Sequence, residues 1–161
     1  MRVCAIVGHQ GSGKTTLIER LIRVMRERGG SVSTVKHTHH HQFELDTPGK
    51  DSYRHRQAGA AEVIVASDTG WARIAASPEP APLQMLLGQL RPVDLVLVEG
   101  FKQLEWLRRV EVYRGAGRPL ALEDAGIAAV AIPGGVSIAE CAARTLPLDD
   151  PSQVLDFILS D

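Results

Sequence analysis

The sequence predicts an α/β fold with three layers around a mostly parallel sheet, and three observations carry that expectation. Apolar runs at 2–7, 93–100 and 126–133 lack polar alternation, as strands buried on both faces do. Amphipathic helical patterns fall between such runs. A glycine-rich turn joins the first run directly to the first helix, the opening of a βαβ unit. The 161 residues suit a single domain, 1–161, long enough to bury a core.

The elements follow in order. Residues 2–7 (RVCAIV) end at Gly8 and form the first strand, with Cys4 inside it as a small buried hydrophobe. Leu17, Ile18, Leu21, Ile22, Val24 and Met25 recur at helical spacing, and Gly29-Gly30 ends that helix. Residues 31–36 form a second strand. The segment 37–60 has no clean apolar period, holds five of the six histidines and turns at Pro48-Gly49. Its second half, 51–60, reads as a short helix capped by Asp51 or Ser52. Residues 61–67 and 71–77 pair as a hairpin across Asp68-Thr69-Gly70. Prolines 78, 80 and 82 interrupt regular structure, and 83–90 resume as a short helix. Residues 93–100 are the clearest buried strand. Residues 108–114 alternate and read as a half-exposed strand, an edge suited to pairing with a second chain. Asp150-Pro151 starts a last helix that runs to Leu159. Strand order does not follow from these patterns.

The turn after the first strand reads Gly8-x4-Gly13-Lys14-Thr15, the spacing of a phosphate-binding loop. Glycines let successive N–H groups converge on phosphate oxygens, and the helix start adds positive potential. Gly8, Gly11, Ser12, Gly13, Lys14, Thr15 and Thr16 are the candidate nucleotide-binding residues. Lys14 would reach the β and γ phosphates, and the Thr15 hydroxyl would ligate Mg2+.

A carboxylate on another strand completes such a metal side, and "DLVLVEG" offers Asp94 and Glu99. Ligands gather at the carboxyl ends of strands in open α/β sheets. Glu99 ends its strand, as Gly8 follows the first. Asp94 begins it, roughly 15 Å away, and is expected to cap the opposite edge. In "DTPGKDS" (46–52), Asp46 is a further metal-side candidate, and Lys50 and Arg54 are candidates for anionic groups. His37, His39, His40 and His41 lack a typical zinc spacing. No Asn/Thr-Lys-x-Asp guanine reader is present, so the residues leave guanine and adenine equally open.

Composition narrows the function. Aromatic residues make up 4% of the chain, too few for a base-stacking platform, and a net charge of −1 does not suit a polyanion binder. No nucleic-acid partner is expected. No apolar run approaches the ~20 residues of a membrane span, and the two cysteines form no disulfide framework. A cytoplasmic location follows as the expectation.

Taken together, "GHQGSGKTTLIERL", "VKHTHHHQFELDTPGKDSYRHRQAGA" and "DLVLVEGFK" resemble the molybdopterin-guanine dinucleotide biosynthesis protein B family, in order and spacing, from Arg2 to about Arg114. The tail from Gly115 on is similar only loosely. The resemblance implies a phosphate-loop protein that binds GTP with Mg2+ and hydrolyses it slowly. It implies an adaptor for the guanylyltransferase that joins GMP to molybdopterin, delivering GTP or the pterin, and a homodimer. On this resemblance residues 11–16 bind the phosphates. Thr15, Glu99 and Asp46 serve the metal, and Lys14, Glu99 and Asp46 are the catalytic candidates. The alternative is a small-molecule kinase on the same scaffold. Arg54, Arg56, Arg108, Arg109, Arg114 and Arg118 would then neutralise charge over an acceptor, with 108–118 as its lid.

Overall fold

The computed structural model describes residues 1–38, 46–77 and 79–160. His39, His40 and His41, the centre of the histidine cluster, lie outside the described residues. The elements run β1 (Arg2–Val7), α1 (Lys14–Glu27), β2 (Val32–Lys36), α2 (Asp51–Gln57), β3 (Glu62–Ser67) and β4 (Gly70–Ala75). They continue with α3 (Leu83–Gly88), β5 (Leu95–Glu99), β6 (Arg108–Val112), a 3-10 turn (Leu120–Leu122), β7 (Ile127–Ile132), β8 (Arg144–Pro147) and α4 (Pro151–Leu159). Two compact units result: Met1–His37 with Leu86–Asp161, and Thr38–Met85.

The first unit holds a six-stranded sheet in the order β2-β5-β1-β6-β7-β8, and every pair in it is parallel. Alternation along β1 sends Cys4 and Ile6 to one face and Ala5 and Val7 to the other. All four are buried, which is why the run shows no polar period. On the first face, Leu17, Leu21 and Met25 of α1 and Val154, Leu155 and Ile158 of α4 share one core with Cys4, Ile6, Leu97, Val110 and Ala129. Burying each such aliphatic side chain contributes about 1.5–3 kcal/mol. α1 stops where the Gly29 and Gly30 amides bond the Arg26 and Met25 carbonyls, both at 2.9 Å. α4 starts with Pro151 in its first turn and the Asp150 carboxylate accepting from the Gln153 amide at 3.1 Å.

β6 departs from expectation. It lies between β1 and β7 instead of at an edge, and Arg109, Val110, Glu111 and Val112 are all buried. The charged-apolar alternation mimics a solvated face because both charges find partners internally, although Arg109 Nε is buried without one among the described residues. Arg109 pairs with Asp124, and Glu111 accepts the amides of Leu120 and Ala121 at 2.8 and 2.9 Å. These bonds fasten the 3-10 turn to the sheet. β6 is therefore not a surface for a second chain, and β2 and β8 form the edges. β8, four residues with a single buried side chain, has too little pattern to announce itself in the sequence.

The second unit contains α2 and the antiparallel hairpin β3–β4, paired from Glu62↔Ala75 to Ser67↔Gly70 around Asp68-Thr69. The Ser67 hydroxyl donates to the Gly70 carbonyl at 3.1 Å, and Arg73 pairs with Glu62 at 2.6 Å. Ile64, Val65 and Trp71 are exposed. The cap of α2 is Lys50, ahead of both expected positions, Asp51 and Ser52.

Candidate functional site

The loop between β1 and α1 is shaped by glycine where its neighbours leave no room. A Cβ on Gly8, at φ 140°, would stand 2.6 Å from the Val112 carbonyl oxygen. Gly13 takes the left-handed conformation at φ 94° and caps α1 without any side-chain hydrogen bond. The first turn of α1 carries no acid. The first α1 amide to find a partner belongs to Leu17, on the Gly13 carbonyl at 3.0 Å. Among the described residues the preceding amides have no partner, and they are the donors that a helix start presents to an anion. Ser12 Oγ is buried without a partner among the described residues.

Lys14, the first helical residue, folds back over this loop. Its ammonium donates to the carbonyls of Gly8 at 3.1 Å and His9 at 2.8 Å. Burial lowers its pKa, Glu99 opposes that shift, and the charge of Lys36 adds to it. The loop is braced from the residues beyond β6. Arg114 Nε donates to the Ser12 carbonyl at 2.9 Å, and a Cβ on Gly13 would touch its guanidinium at 3.0 Å. His9 Nε2 lies 2.9 Å from the Arg118 carbonyl oxygen.

Strand order brings the carboxylate. β5 neighbours β1, so its last residue, Glu99, stands beside the loop. Thr15 Oγ1 lies 3.2 and 3.1 Å from the two Glu99 carboxylate oxygens. Lys36 Nζ, at the end of β2, is 3.5 Å from Glu99 Oε1. Asp94 sits at the other end of the strand. It accepts the Ser31 amide at 2.8 Å and the Ser31 hydroxyl at 2.6 Å, and these bonds hold its carboxyl below the usual carboxylate range. It ties β2 to β5 and has no part in the loop.

Lys14, Thr15 and Glu99, three of the residues named from the sequence, are thus brought together. Asp46 belongs to the second unit, where Ser52 donates to its Oδ1 at 2.8 Å and its Oδ2 is buried without a partner among the described residues. The His37 ring packs against Phe101, centroids 4.8 Å apart. Among the described residues no group of three or more His, Cys, Asp and Glu side chains forms a metal centre. Two contributors escaped the motif reading: Lys36 beside Glu99, and Arg114 as a brace of the loop. Both depend on strand neighbours that local pattern does not reveal.

The arginine acceptor site expected of a kinase is not assembled as drawn from the sequence. Arg109 is buried against Asp124, and Arg108 bonds the Ser160 carbonyl at 2.5 Å and covers the Phe157 ring at 4.3 Å. A lid over 108–118 is excluded in its first half, because Arg108–Val112 is an inner strand.

The free amides, a lysine and a hydroxyl–carboxylate pair of hard oxygen donors fit a nucleotide phosphate chain with a small divalent cation. Among the described residues no helix is long and apolar enough to cross a membrane. A model of the family described as molybdopterin guanine dinucleotide synthesis protein B matches residues 3–133. The molybdopterin-guanine dinucleotide biosynthesis adapter protein of Haemophilus influenzae is 40% identical over 156 residues, 95% of this chain and 85% of that protein. Its namesake in Escherichia coli K12 is 40% identical over 163 residues, 96% and 90% of the two chains. The crystal structure of Bacillus subtilis MobB superposes with a TM-score of 0.77 at 26% identity, covering 99% of this chain and 96% of that one. A MobB homolog from Bacillus stearothermophilus gives 0.72 at 28%, with coverage of 99% and 96%. The family that the three stretches together resemble is borne out: this chain belongs to the molybdopterin-guanine dinucleotide synthesis protein B family.

Proposed function

We propose that the chain is a GTP-binding adapter in the biosynthesis of molybdopterin guanine dinucleotide, assisting a guanylyltransferase that joins GMP to molybdopterin. The observation that carries this reading is the Thr15 hydroxyl held against Glu99 at the mouth of an open phosphate loop. The names of the relatives from Haemophilus influenzae and Escherichia coli supply the pathway and favour guanine over adenine. Gly8, Gly11, Ser12, Gly13, Lys14, Thr15 and Thr16 receive the phosphates in this reading. Thr15 and Glu99 hold Mg2+, and Asp46 is the further metal-side acid. The cation neutralises the β and γ phosphate oxygens when bound. Lys14 binds the same phosphates, and the loop amides orient them.

Hydrolysis in this reading is slow. The carboxylate nearest the loop, Glu99, already accepts from Thr15 and faces Lys36, so it is not free to act as a base for water. A homodimer belongs to the proposal and draws support from the exposed Ile64, Val65 and Trp71, since a lone two-stranded hairpin is marginal in water. A single nucleotide-binding domain, 1–161, also belongs to the proposal.

Calorimetry with GTP, ATP, GDP and GMP tests the reading on wild type and Lys14→Ala. Mg2+-dependent GTP binding that vanishes in the variant is expected. Unchanged affinity in Lys14→Ala overturns the site. ATP bound as tightly as GTP, or rapid transfer of its terminal phosphate to a small acceptor, overturns the adapter in favour of the kinase.

A further inference from the structure

Lys36 ends β2 opposite Glu99, the last residue of β5, because the parallel register pairs the two positions. The Lys36 ammonium stands 3.5 Å from Glu99 Oε1, on the same carboxylate that receives the Thr15 hydroxyl. Two lysines therefore flank the mouth of the loop from different elements: Lys14 from the helix start and Lys36 from the strand edge. Their chemistry differs. Lys14 is anchored on two loop carbonyls. The side chain of Lys36 is 61% exposed, and the Glu99 carboxylate it faces is only 14% exposed. A pair with one partner in water is weakly held, and a lysine is a mobile point charge on a flexible stem.

We propose that Lys36 selects for the terminal phosphate of a nucleoside triphosphate. In the free protein it neutralises Glu99. With a magnesium nucleotide bound, Glu99 would serve the metal together with Thr15, and the Lys36 ammonium, released from that carboxylate, would turn to the terminal phosphate. A diphosphate offers no such partner. This rests on the nucleotide-binding reading above and adds to it a residue outside the loop motif.

Calorimetric titration with GTP and with GDP, both with Mg2+, tests the proposal on wild type, Lys36→Met, Lys36→Arg and Lys14→Ala. Lys36→Met keeps the aliphatic stem at an exposed position, and thermal melts followed by circular dichroism verify its fold. Expected is a loss of about tenfold in GTP affinity with GDP affinity within about twofold, as one charge-assisted contact to the terminal phosphate implies. Lys36→Arg should retain most of the preference. A GTP-to-GDP ratio unchanged in Lys36→Met, an equal loss for both nucleotides, or a wild type without preference for GTP overturns it. Lys14→Ala separates the two levels. If it leaves binding intact, the phosphate-loop reading fails. If it abolishes binding while Lys36→Met keeps the ratio, only the role of Lys36 fails.

Discussion

Arg109, buried in an inner strand, is gripped by both carboxylate oxygens of Asp124, at 2.5 and 3.0 Å. A third bond runs to the Lys102 carbonyl at 2.7 Å, so one guanidinium joins the segment after β5 to the segment before β7. Removing one partner of a buried pair strands the other charge. Asp124→Ala should cost about 2–3 kcal/mol in denaturant unfolding, the discount from the fully buried case reflecting the exposure of Asp124. The double variant Arg109→Met/Asp124→Ala should recover part of that loss. A single variant as stable as wild type would show that the pair is dispensable.

Gly8 and Gly11 of the loop should respond differently to alanine. At Gly8 the added methyl meets the Val112 carbonyl and Ser12 Oγ, at 2.6 and 2.8 Å. At Gly11 nothing lies within 4 Å. Both carry positive φ, so each substitution strains the backbone by about 1 kcal/mol. Gly8→Ala should add an overpacking cost of about 1–3 kcal/mol. Chemical denaturation read by far-UV circular dichroism checks the order, and equal midpoints for the two variants contradict it.

Glu99 and Asp94 share a strand and face different chemistry. Glu99→Gln should weaken Mg2+-dependent nucleotide binding by about tenfold or more, because it removes a charge from the metal side. Asp94→Asn should leave the affinity within about twofold. Titrations with and without Mg2+ measure both, and equal losses in the two variants would reject the strand-end argument.

Asp94 makes its own pH-dependent contribution. Its carboxyl is held below the usual range by the Ser31 hydroxyl and amide. A depressed folded pKa means the stabilisation is full above the unfolded value, near ~4, and fades as pH falls through the folded one. The Tm difference between wild type and Asp94→Ala should therefore be present at neutral pH and narrow below about pH 4. A gap that stays constant into strong acid would assign the effect to packing.

The two thiols should differ in reactivity. Burial pushes the Cys4 thiol up to about 12, with the charge of Arg108 opposing. Cys141 is free and half-buried. Since the thiolate is the nucleophile, a disulfide reagent at mildly alkaline pH should modify Cys141 in the native protein and Cys4 only on unfolding. Rapid reaction of both would contradict the burial of β1.

Much of the fold was legible because its signals are local. The apolar runs of β1, β5 and β7, the periodicity of α1 and the Asp150-Pro151 start of α4 need only near neighbours in sequence. β6 was misjudged because its charges meet partners outside the strand itself: Glu111 finds backbone amides and Arg109 finds Asp124. β8 was missed because Arg144 to Pro147 carry one buried side chain. At the site, glycine spacing named the loop, and the rule that ligands gather at strand ends favoured Glu99 over Asp94.

By itself the sequence determined the phosphate loop, its lysine and threonine, and the strand-end glutamate, because turn chemistry and apolar period are written residue by residue. Only the tertiary structure decided that β5 lies next to β1, that Lys36 stands across from Glu99, and that Arg114 braces the loop at Ser12. Those relations come from pairing strands far apart in the chain. No local pattern encodes which strands will meet, since buried parallel strands such as β1, β5 and β7 present similar apolar faces and the same backbone hydrogen bonds.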